Sequence, residues 1–204
     1  MPTTLHTPDE VTFEEVIRQR KELGHDLYDE VWEGEYVIMN VPANRHQVLV
    51  ADLSAALVSF IDRERGDFVL PGVNVTDRDD WKSNYRIPDV AVYLVTNPAQ
   101  DRRTHYFGGP DLAIEIVSPG DRTREKFDFY ARVGTRELIV IDEGYERFEF
   151  FRLDGGTLAP AGTLTPGSPP IATESVPLAW RLDRTDRLRL SLAGDSQTQT
   201  ILIG

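Results

Sequence analysis

Residues 111–142, DLAIEIVSPGDRTREKFDFYARVGTRELIVID, read as strand, helix, strand. Leu112 to Val117 and Glu137 to Asp142 are short, β-branched and nearly continuously apolar, the pattern of strands covered on both faces. Between them Thr123 is the expected N-cap of a helix that stops at Gly134. On that helix Lys126, Tyr130 and Val133 lie along one side by i+4 and i+3 spacing. Strand, helix, strand predicts a right-handed crossover at the centre of a sheet.

One residue departs from the apolar pattern. An unpaired carboxylate within LAIEIV is costly, so Glu115 either belongs to a site or is neutralised by a cation such as Arg86 or Arg122. Residue 117 shares its strand face and is valine; Lys126 lies 11 residues beyond Glu115. Upstream, RIPDVAVYLV (86–95) predicts another buried strand with Asp89 at its start, after Pro88 has fixed Ile87 as extended. Asp89 either joins Glu115 in a site or accepts a neighbouring backbone N–H. Lys126 either leans inward at the strand end or snorkels beside a packed aromatic. Strand Asp, strand Glu and helix Lys can together build a phosphodiesterase centre. Two carboxylates share a divalent cation, and the lysine orients or activates a water or balances charge on the phosphate.

Working outward, Thr12 to Leu23 reads as a short amphipathic helix closed by Gly24, a lid or edge element. Tyr28 to Val41 reads as a hairpin turning at Glu33-Gly34, with Tyr36 to Met39 as its second strand. Asn44 to Arg65 is the longest helical pattern, apolar along Val50, Leu53, Leu57, Val58 and Ile61 and closed by Gly66. Phe68 to Val75 predicts a strand, Thr76 to Tyr85 a loop in which Trp81 serves as a cover, and Thr96 to Pro110 a connection without its own core. From Tyr145 the pattern alternates, with Asp154-Gly155-Gly156 as a hairpin turn. Ala179 to Ala193 is amphipathic, strand or helix, and SQTQTILIG (196–204) reads as loosely held. The expected division is an N-terminal helical segment at 1–24, one domain at 25–193 and a tail at 194–204.

With 204 residues, 40% of them hydrophobic, the chain can bury a core without crosslinks, and the absence of cysteine excludes disulfides and thiolate zinc sites. Its first residues carry no apolar leader core and no run matches a bilayer, so the expectation is a soluble, cytoplasmic protein without membrane contact. The formal charge of −12 opposes a broad nucleic-acid footprint. Between Asp121 and Arg136, however, Arg122, Arg124, Lys126, Arg132 and Arg136 outnumber Asp121, Glu125 and Asp128, forming either a basic rim or a solvated helix face.

The stretches YDEVWEGEYVIMN (28–40), NRHQVLVADLSAAL (44–57), RIPDVAVY (86–93) and GGPDLAIEIVSPGDRTREKFDFYARVGTRELIVID (108–142), with a closing β segment, resemble the Uma-two family of restriction endonucleases. That family belongs to the PD-(D/E)XK nuclease superfamily, and the resemblance runs over residues 25–182. It implies an α/β (mixed α+β) fold: a restriction-endonuclease-like mixed β-sheet flanked by helices, with an antiparallel β-rich C-terminal part. It also implies Asp89 and Glu115 as metal carboxylates and Lys126 as a relocated lysine. Glu35, in the early Gly-Glu element, is either a further carboxylate or a hairpin charge facing solvent. His46 either approaches phosphate or caps and packs the long helix. The expected activity is a magnesium-dependent DNA endonuclease, manganese being a substitute, with the Ile116 backbone carbonyl as an added ligand and Lys126 positioning the attacking water. A homodimer is expected, since double-strand cutters pair two sites and the C-terminal strands offer edges. The alternatives are a catalytically inactive nucleic-acid-binding or regulatory module on the same scaffold, motivated by the acidity, and a hydrolase of RNA or a smaller phosphodiester.

Overall fold

In the computed structural model, which describes residues 12–118, 120, 122–185, 187–192 and 198–203, the N-terminal pattern is a helix, α1 (Phe13–Leu23). Thr12 caps it by accepting from the Glu15 N–H, and Gly24 closes it in the left-handed region. None of its residues is buried: Arg20 grips both carboxylate oxygens of Asp29 at 2.7 and 2.6 Å, and the Phe13 ring stands edge-on to that of Tyr36. The hairpin follows as β1 (Glu30–Trp32) and β2 (Glu35–Val37). Glu33 and Gly34 between them both have positive φ, as a tight two-residue turn requires.

The long helix, α2 (Asn44–Val58), is shorter than the 44–65 pattern. Ser59 Oγ donates to the Ala56 carbonyl at 2.6 Å, and the Asp62 carboxylate accepts from the N–H groups of Glu64 and Arg65. These local bonds stop the helix and begin a separate 3-10 turn at Arg63–Arg65, and it is this turn that Gly66 closes. The expected strand at 68–75 also divides, into β3 (Phe68–Pro71) and β4 (Val75–Thr76). Gly72, at φ 64° and with its N–H on the Asp89 carbonyl, turns the chain between them.

After β5 (Tyr85–Arg86) and β6 (Val90–Tyr93), the segment 96–110 is more than a connection: β7 (Gln100–Asp101) and β8 (Tyr106–Phe107) form a hairpin, and β8 runs parallel to β4. Then come β9 (Leu112–Ile116), a 3-10 turn at Thr123–Lys126, α3 (Phe127–Arg132) and β10 (Glu137–Ile141). Thr123 is not the cap. It is buried inside the 3-10 turn, whose cap position is Arg122, because the chain tightens there before α3 begins. The C-terminal half is antiparallel: β11 (Phe148–Asp154), β12 (Thr157–Leu164), β13 (Ile171–Ala172), β14 (Leu178–Leu182), β15 (Arg187–Leu192) and β16 (Thr198–Leu202). The segment left open between helix and strand is therefore two strands. The stretch read as a loose tail pairs with β15 and sends Ile201 and Ile203 into the core. Its polar start at 198–200 looks solvated because only one face of that strand meets apolar groups.

The central sheet has the order β12-β11-β10-β9-β6-β3 and is mixed: β9 and β10 are parallel, and every other neighbouring pair is antiparallel. A second sheet has the order β2-β1-β5-β4-β8-β7 and a third β13-β14-β15-β16. On one face of the central sheet Ile114, Ile116 and Ile139 meet Leu49, Leu53 and Leu57 of α2 and Trp180 and Leu188 of the third sheet. On the other, Ala113, Leu138 and Val140 meet Phe129 and Tyr130 of α3 and Val75 of β4. The architecture is the expected mixed sheet flanked by helices. Among the described residues no helix is long and apolar enough to cross a membrane.

The close approach of the strand β9 lead-in to the α3 exit depends on Gly109. A Cβ there would stand 2.4 Å from the Thr135 nitrogen and 2.5 Å from its Oγ1. Gly109→Ala is expected to cost about 1–3 kcal/mol through overpacking, seen as a thermal midpoint lowered by roughly 5 °C. An unchanged midpoint would contradict this packing.

Candidate active site

Strand alternation decides where Glu115 points. Ile114 and Ile116 belong to the α2 face, so Ala113 and Glu115 face α3. Glu115 is therefore carried into the interior, 3% exposed, beneath the 3-10 turn that carries Lys126. Lys126 does not snorkel: it is 2% exposed, with Nζ 3.1 Å from each oxygen of Glu115. Tyr130, on the same side of α3, donates its hydroxyl to Glu115 as well. Neither Arg86 nor Arg122 is the partner. Arg86 donates to the Val31 and Tyr85 carbonyls and lies over the Trp32 and Phe129 rings, while Arg122 pairs with Glu125.

Asp89 reaches the same place from the bend before β6. Val90 pairs with Ile114, and two residues further along that register Pro88 stands where the ladder would meet Ile116. The Asp89 carboxylate closes the ladder instead, accepting the Ile116 N–H at 2.7 Å. Its other oxygen accepts from His46 Nε2 at 2.8 Å, His46 being buried in the first turn of α2. Asp89 is thus both the acceptor for a backbone N–H and, by its other oxygen, tied to the long helix.

Glu35 is not in this cluster. It lies exposed on β2, opposite Trp32. Its place is taken by Glu30, which the sequence reading missed: 1% exposed, it stands 3.0 Å from Lys126 Nζ, accepts the Ile87 N–H at 2.8 Å and accepts from Trp32 Nε1 at 2.5 Å. The one available signal was its place two residues before Trp32, a residue too large to leave in solvent, whose strand face Glu30 shares.

Glu30, His46, Asp89, Glu115, Ile116 and Lys126 all line one cleft of about 420 Å³. Burial pushes the Glu115 carboxyl up to about 8; Lys126 opposes this, and the Asp89 and Glu30 charges add to it. For Lys126 burial alone would favour the neutral amine, but Glu115 and then Glu30 hold it well above the ordinary ammonium range. Three carboxyl groups thus face one ammonium, and with Glu115 ionised their excess of negative charge suits a hard divalent cation. Among the described residues no three His, Asp or Glu side chains converge as ligands. A hard cation held by one or two carboxylates and several waters is what Asp89 and Glu115 could accommodate. Asp89 and Glu115 retain acceptor capacity for it, each carboxylate offering about four lone-pair sites.

The family model described as Uma2, "Putative restriction endonuclease", matches residues 13–185, a span that contains every residue of this cluster. A crystal structure titled as a "putative nuclease belonging to DUF820" from Anabaena variabilis ATCC 29413 has a similar fold, with a TM-score of 0.58 at 17% identity, covering 73% of this chain and 83% of that one. No curated protein matches the chain.

Proposed function

The chain belongs to the Uma2 family, and from that premise we propose that it is a metal-dependent DNA endonuclease with its centre at Asp89, Glu115 and Lys126. The reading is carried by one observation: three charged side chains, from the bend before β6, from β9 and from the turn before α3, line a single cleft. Magnesium, or manganese in its stead, would rest on Asp89 and Glu115. The Ile116 carbonyl, which leaves β9 on the same edge as the N–H given to Asp89, would be a further ligand. Bound there, the cation would polarise the phosphate and lower the pKa of a water.

The protein's own groups do the rest. Lys126 positions the attacking water and balances charge on the phosphate. Glu30 holds the ammonium from behind, Tyr130 and Lys126 orient Glu115, and His46 orients Asp89. In this reading the enzyme is cytoplasmic, in keeping with a cysteine-free chain. It acts as a homodimer, for which β16, the last strand of its sheet and the carrier of exposed Leu202, is a ready edge.

Incubation of the purified protein with plasmid, linear and single-stranded DNA should give cleavage in magnesium or manganese and none in EDTA. Asp89→Ala is expected to lower the rate at least about a hundredfold. Undiminished cleavage by that variant would refute the centre. Binding without cleavage under every condition would favour the non-cleaving module instead.

A further inference from the structure

Resting on the nuclease reading, we infer that the cleft takes an unpaired nucleotide, so that the substrate is a single strand, an overhang or a frayed end and not the interior of a duplex. Duplex binding is built on lysine and arginine side chains that neutralise phosphates. Among the described residues the cationic side chains lining this cleft are Lys126 and Arg122, with His46 able to become one. Lys126 is enclosed between Glu115 and Glu30. Arg122 is held by Glu125 at 2.8 and 2.5 Å and lies over the Trp32 ring at 4.5 Å. Lys126 can meet a single phosphate at the carboxylates, and Arg122, 46% exposed, is one cation at the mouth, too few for the phosphates of a rigid duplex on a chain that carries −12.

What the mouth offers instead is apolar surface. Leu27, Tyr28 and Ile38 line it and remain 72%, 40% and 44% exposed, so three large apolar side chains stand at one opening. Gln47 donates to the Tyr28 hydroxyl at 3.1 Å, fixing the edge of the ring at the opening. A base freed from its partner presents a π-face that stacks on such a ring whatever its identity, and a single strand bends to bring its phosphate down to the carboxylates. The volume agrees. At about 420 Å³ the cleft is in the lower part of the range for small-ligand pockets, whereas a duplex presents grooves about 12 and 6 Å wide that a site must span.

The test is fluorescence anisotropy of the full chain with labelled 12-mers, DNA and RNA, single-stranded and as blunt duplexes, in calcium and over a salt series. The single strand is expected to bind at least tenfold more tightly than its duplex, with a salt slope of no more than about two released counterions. Tyr28→Ala and Leu27→Ser, both at exposed positions, should each weaken single-strand binding about tenfold while leaving circular dichroism and the thermal midpoint unchanged. Equal or tighter duplex binding would overturn the inference. So would single-strand binding indifferent to both substitutions, or substitutions that change only the mass seen in sedimentation, which would assign the rim to a second copy. Wild-type protein that cuts covalently closed duplex as fast as a single strand would sink the inference and leave the nuclease standing. Tight single-strand binding with no cutting of any nucleic acid would do the reverse.

Discussion

Lys126→Met is expected to lower stability more than any other single change in the cluster, and to lower cleavage with it. Methionine keeps the apolar stem and removes the charge, leaving Glu115 and Glu30 facing one another in an interior where Lys126 itself is 2% exposed. Removing one member of a buried ion pair costs about 3–5 kcal/mol, because the remaining charge is neither solvated nor matched. For a domain of this size that is a fall in thermal midpoint on the order of 10 °C. Cleavage should fall by about 10²–10⁴, the usual contribution of a group that manages a proton or a developing charge. At pH 9, where Glu115 is ionised, Lys126→Met combined with Glu115→Gln should recover part of the stability, since the second change removes one of the stranded charges, yet none of the activity. Differential scanning fluorimetry on the parent, both single variants and the double variant reads the stability term directly. A Lys126→Met protein as stable as its parent would mean that the ammonium does not sit between the two carboxylates.

The central sheet was legible because β9 and β10 are long enough for their composition to speak. A run such as LAIEIV can be satisfied only by burial on both faces, which made Glu115 conspicuous in the same reading. The cluster's other half was hidden for two physical reasons. Glu30 is brought to Lys126 by a contact spanning 96 residues, and in a three-residue strand the period spans a single pair, Glu30 and Trp32, too little to rank Glu30 above Glu35. The second sheet was obscured similarly. Strands of two residues such as β4, β5 and β8 have no period at all and exist through their neighbours. Helix ends failed where side chains compete with the backbone, at Ser59 and Asp62, an effect that local propensity underweights. His46 could be seen at the start of a helix, but its bond to Asp89 depends on where β6 begins in space.

The second large effect concerns pH and the same buried carboxyl. Glu115 is pushed by burial up to about 8, against an ordinary value of 4.5 that the unfolded chain restores. Across that window the folded protein holds a proton that the unfolded chain has lost, so stability without metal falls as pH rises. The contribution is complete below about pH 4.5 and is gone once pH has passed 8, while Lys126, held above its ordinary range, remains charged throughout. Glu115→Gln removes the titration. Its thermal midpoint should therefore be nearly level where the parent's declines, leaving the variant the more stable of the two at pH 9 by a few kcal/mol, an order-of-magnitude value. A divalent cation needs the ionised carboxylate, so its binding to the parent should release a proton and strengthen with pH, by up to about tenfold per unit, until pH 8. Calorimetric titration of manganese in two buffers of different ionisation enthalpy counts that proton. Glu115→Gln should bind the ion weakly, release no proton and cleave at least about a thousandfold more slowly, the gain in stability and the loss of activity arising from one substitution. Parallel pH–stability curves for parent and variant would show that Glu115 does not titrate in the folded protein, and the electrostatic account of the cleft would fall with it.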